Sequence, residues 1–177
     1  MPNDLYTAVM SIPGADRAVD FIQGQAAAFS YIPQRLERIR AKLEAIRQAA
    51  AAQNDVVKVA KAAALLRGLV TVTSTYARTA AGVSDVVNAL RSTAPGLNPV
   101  AFVPKLLGVA SQVTLLFKSV DFFERSATGL QAGTLSAEDV AKLERGGFTV
   151  GSAVVSPLVK TALVVGGVWL LWRMTRR

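Results

Sequence analysis

The chain has 177 residues, 51% hydrophobic content and a net charge of +8, with neither cysteine nor histidine. That length gives one domain, or a small domain with an appendage, and the apolar content favours membrane association before any motif is read. The missing Cys and His exclude disulfides, thiolate metal sites, a Cys nucleophile and an imidazole base, while the positive charge suits lipid headgroups or nucleic acid phosphates.

The N-terminal twenty residues do not read as a secretory signal. Asp4 stands where a basic stretch belongs, and Pro13, Gly14, Asp16 and Arg17 interrupt any apolar core. The expectation is a chain made and held on the cytoplasmic side, or packaged from there. Breaks at Pro13-Gly14, Pro33, Asn54-Asp55, residues 94 to 99 and Gly133 separate alanine-rich segments suited to helices, four or five of them before the terminal run.

The clearest helix starts at Pro33. Leu36, Ile39, Leu43 and Ile46 alternate in spacing between three and four, an a/d packing seam that Phe29 and Ile32 extend backwards and Ala50 forwards. Such a short seam implies a bundle or short coiled-coil contact. Glu37, Arg40, Glu44 and Arg47 alternate in sign on the surface and satisfy one another. Arg35, Arg38 and Lys42 form a separate basic ridge at i, i+3 and i+7, a candidate contact to headgroups or phosphates set against a plainly solvated face. No interleaved aromatics, helix-turn-helix or zinc pattern accompanies it, so any nucleic acid contact is expected to be non-specific.

Residues 55 to 91 read as helix, with a break expected near Gly82, Ser84 and Asp85. The β-branched run Thr71-Val72-Thr73-Ser74-Thr75-Tyr76 resembles a strand but has no comparable partner strand, so it is assigned to the helix. Val100 to Arg125 forms an apolar helix in which Lys105 and Lys118 bracket twelve residues. As a helix those rise about 18 Å, short of a bilayer core of about 30 Å, so core burial is favoured over a membrane hairpin. Asp121 and Glu124 lack a partner pattern for acid–base chemistry. Further on, Ser136 and Asp139 make a capping box for a short helix that Gly146-Gly147 stops.

Past residue 148 there are no acidic residues. Val150 to Trp172 rises about 34 Å as a helix, long enough to cross a bilayer. Trp169 and Trp172 suit the interface, and Arg173, Arg176 and Arg177 the headgroup zone. Lys160 near the centre costs about 2.5–3.5 kcal/mol, which eleven Val and Leu residues at about 0.3–0.6 kcal/mol each offset. Thr149, Ser152, Ser156, Lys160 and Gly167 share one sector, a stripe suited to a helix interface or a lumen. The competing readings are a snorkelling lysine and a buried non-membrane helix.

These features imply an all-α chain: a helical bundle with a short coiled-coil-like helix and a C-terminal transmembrane helix. The expected division is a helical domain over 1–133, a short capped helix and linker over 134–148, and a transmembrane segment with a basic tail over 149–177. The expected function is a non-enzymatic, membrane-anchored structural or assembly protein without cofactor or metal. It would form homo-oligomers on a lipid membrane, in the context of a virion or phage component that engages a host membrane. The alternative is an oligomeric conduit for nucleic acid or solute, its pore lined by the terminal helices. In topology, a large domain held inside sends the terminal arginines across, against the positive-inside bias.

Overall fold

A computed structural model describes residues 4–91, 98–136 and 138–139. They form five helices: α1 (Asp4–Met10), α2 (Ala15–Ser30), α3 (Ile32–Ala52), α4 (Val56–Arg91) and α5 (Pro99–Ala132). No strand occurs among the described residues, which are all-α.

The connections follow from local chemistry. Gly14 turns the chain between α1 and α2 with φ 87°, a conformation that costs glycine little. Between α2 and α3 lies Tyr31 alone, itself in a helical conformation. Pro33 has no N–H to return to the Phe29 carbonyl, which separates two helices that otherwise form one run. The α3–α4 turn is tight: Asn54 adopts φ 56°, and the Asp55 N–H closes on the Ala50 carbonyl at 2.9 Å. Asp55 then starts α4, its Oδ1 accepting the Lys58 N–H at 2.9 Å. Asn98 caps α5 by accepting the Val100 N–H at 3.0 Å, with Pro99 in the first turn. Gly133, at φ 75°, ends α5 while the Thr134 N–H reaches the Gly129 carbonyl at 2.8 Å.

Two expectations need correction. α4 runs unbroken through Gly82, Ser84 and Asp85, because Gly82 is a packing notch instead of a stop. The apolar helix expected over Val100 to Arg125 extends over Pro99–Ala132. The β-branched run is helical. Its hydroxyls bond backwards, Thr73 to the Leu69 carbonyl at 3.0 Å and Thr75 to the Thr71 carbonyl at 2.9 Å, so burying Thr75 leaves no idle donor.

The buried residues fall at heptad spacing. On α5 the buried apolar residues are Phe102, Leu106, Val109, Val113, Leu116, Val120, Phe123, Ala127 and Leu130, alternating steps of four and three, with Ser119 and Ser126 buried beside them. On α3 they are Ile32, Leu36, Ile39, Leu43, Ile46 and Ala50, in the same alternation. One core joins α3 to the first half of α4 and the second half of α5. A second joins α1 and α2 to the second half of α4 and the first half of α5. Phe29 and Phe117 pack against both, making the interior continuous.

Pair contacts fix the directions. Gly68 faces Phe123 and Gly82 faces Val109, so fourteen residues forward on α4 correspond to fourteen back on α5. These two helices are antiparallel and in heptad register. Arg35 meets Asp121 and Lys42 meets Thr128, both at a separation of 86 residues, so α3 and α5 run parallel.

Candidate functional site

The basic ridge on α3 is not the free surface its own helix suggested. Arg35 lies half-buried against α5, where its guanidinium donates to Asp121 Oδ1 at 2.7 Å and to the Glu124 carboxylate. Asp121 and Glu124 sit three residues apart, on one face of α5, so a single planar guanidinium reaches both. The hydrogen bond to Glu124 contributes most to raising the Arg35 pKa above its ordinary value; burial opposes it, and Asp121 adds to it. A raised pKa contributes stability that is fully present below the unfolded value and is lost only above it. Arg35 therefore stays cationic throughout the working pH range.

One heptad further on, Lys42 donates to Thr128 Oγ1 at 3.0 Å. Arg35 and Lys42 thus form two rungs between α3 and α5, and Arg38, on the turn between them, is the exposed member of the ridge. Sequence reading missed the neutralising carboxylates because they come from a helix 86 to 89 residues away. Of the alternating surface charges, Arg40 and Glu44 pair at 3.3 Å. Lys105, one of the two lysines bracketing the apolar stretch, lies 3.5 Å from Asp85 on α4.

The packing seam residues Leu36, Ile39, Leu43 and Ile46 are all buried, with Leu43 fully enclosed. The capping pair also forms: the Asp139 N–H donates to Ser136 Oγ at 3.1 Å, and that hydroxyl donates to Asp139 Oδ2 at 2.7 Å. The expected membrane residues Trp169, Trp172, Arg173, Arg176 and Arg177, and the stripe of Ser152, Ser156, Lys160 and Gly167, lie outside the described residues. Among the described residues no group of three or more acidic side chains is arranged to hold a metal ion.

α5 is the one described helix long and apolar enough to cross a membrane, with a mean hydropathy of 1.7 over its best stretch. Only 28% of that stretch is buried, close to the two residues in seven that a heptad seam encloses. Its outward face carries Ala101, Pro104, Lys105, Gly108, Gln112 and Thr114. An open depression at the α3–α4 turn is lined by Asp55, Val57, Lys58, Lys61, Leu130, Gly133 and Leu135. No protein family, curated protein or solved structure matches the chain. The virion context accordingly rests on sequence architecture alone.

Proposed function

We propose that the chain is a membrane-anchored helical scaffold, acting through assembly and not through catalysis. In this reading α2–α3, α4 and α5 make an elongated helical bundle with coiled-coil-like seams, and residues 149–177 cross the bilayer. The observation that carries it is the placement of the chain's exit. The heptad core runs the length of α5 to Leu130, and the chain then leaves past Leu135 and Asp139 toward a run free of acidic residues. A stiff body tethered at one end suits a spacer or assembly module. Homo-oligomers would form through the Ser152, Ser156, Lys160 and Gly167 stripe, whose small residues allow close helix approach.

A second reading draws on the hydropathy of α5, which would then enter the membrane beside the terminal segment. It requires opening a seam that includes the fully buried Leu106, Leu116, Val120 and Phe123, and parting Arg35 from Asp121 and Glu124. It also places Lys105 and Gln112 in lipid, where a lysine costs about 2.5–3.5 kcal/mol, and parts Lys105 from Asp85. We therefore retain α5 as a core helix. Flotation with vesicles tests the proposal. The full chain is expected to float, and a variant ending at Phe148 to stay in the soluble fraction with its helical signal intact. A full chain left in the soluble fraction would remove the anchor.

A further inference from the structure

We infer that the α3–α4 turn is a second membrane contact, docking on an anionic lipid surface beside the C-terminal anchor. This rests on the anchor reading above. Val56 and Val57 are adjacent and stand 76% and 65% exposed on the first turn of α4. Two neighbouring valines presented at the outermost turn of a helical body are poorly placed for water and well placed to enter the apolar side of a headgroup layer.

The turn that carries them is fixed. Asn54 in its left-handed conformation, the Asp55–Ala50 backbone bond and the Asp55 cap hold the backbone that presents the two valines. Lys58 and Lys61 follow within the next turn and a half and line the depression beside Val57. Ammonium groups next to an inserting apolar pair are the arrangement that selects anionic over neutral lipid. Of the acidic groups at this end, the Asp55 carboxylate accepts the Lys58 N–H and the Asp139 carboxylate accepts the Ser136 hydroxyl, both within helix caps, and Glu138 beside Asp139 is exposed.

The occupant follows from where the chain goes. Leu135 lines the same depression as Val57, Lys58 and Lys61, so the chain departs from this end of the body. Nine residues, 140 to 148, separate Asp139 from the acid-free run. Fully extended they reach about 30 Å, and as a helix about 14 Å. With 149–177 in a bilayer, the valine turn is confined near that bilayer's surface. The opposite end is not: Val100, also exposed, lies about 45 Å along α5 from Leu130.

The absence of native cysteine makes the test direct. Gln53→Cys, exposed and next to the valines, and Val100→Cys each carry one environment-sensitive fluorophore on the full chain. The vesicles contain phosphatidylcholine and phosphatidylserine with a headgroup-proximal lipid quencher. The Gln53→Cys label is expected to be quenched several-fold more than the Val100→Cys label. The difference should collapse when Val56→Ser and Val57→Ser are added, and shrink with Lys58→Gln and Lys61→Gln or in phosphatidylcholine alone. Equal quenching at the two positions, in a chain that floats with the vesicles, overturns the docking surface and leaves the anchor standing. A chain that does not float overturns both.

Discussion

Gly68 and Gly82 show how much a single methyl group decides. A Cβ on Gly68 would lie 2.7 Å from Cζ of Phe123, a ring fully buried and set edge-on to Phe122 at 5.6 Å. That ring is enclosed and cannot swing clear. Gly68→Ala is therefore expected to lose about 1–3 kcal/mol despite the better helix propensity of alanine. At Gly82 the added methyl would meet only a Val109 methyl, at 3.3 Å. Mild crowding there opposes a propensity gain of about 1 kcal/mol, so Gly82→Ala should change stability little. Urea unfolding of the two variants checks the contrast. A Gly68→Ala variant as stable as the parent would mean that α4 and α5 lie further apart than described.

Among the elements, α3 has the most direct relation between pattern and packing. Leu43 is fully enclosed between α4 and α5, and Leu43→Ala should cost about 2–5 kcal/mol in thermal or urea unfolding. An unchanged transition would place the seam in solvent. This seam was legible in the sequence because charged residues surround it, so the apolar positions stand out. On α5 the spacing is as regular and longer, yet its nine seam positions are obscured by outward neighbours such as Ala101, Gly108 and Val100. On α4 the contrast is inverted: Thr75 and Thr79 are buried while Val56, Val57 and Val70 are exposed. Polarity alone therefore could not give its inner face. The Arg35 contact was illegible for another reason, since a guanidinium and two carboxylates on separate helices meet only after α4 has reversed the chain.

The molecule as proposed is a stiff helical body joined to a terminal membrane segment. Two rungs, Arg35 to the α5 carboxylates and Lys42 to Thr128, hold α3 alongside α5 near the end from which the chain departs. Exposed ion pairs add only about 0.2–1 kcal/mol each, so they set register more than they set stability. The body's stability comes from the continuous apolar interior, bridged at its middle by Phe29 and Phe117. The proposed function stands or falls on whether residues 149–177 cross a bilayer. Single cysteines placed in turn from Gly151 to Met174 of the full chain in vesicles, probed with a membrane-impermeant thiol reagent, decide it. The expected outcome is a continuous protected stretch of about 20 residues, with labelling restored beyond Trp172. Uniform labelling across the run, or labelling on every turn of a helix face as at a soluble surface, would contradict it.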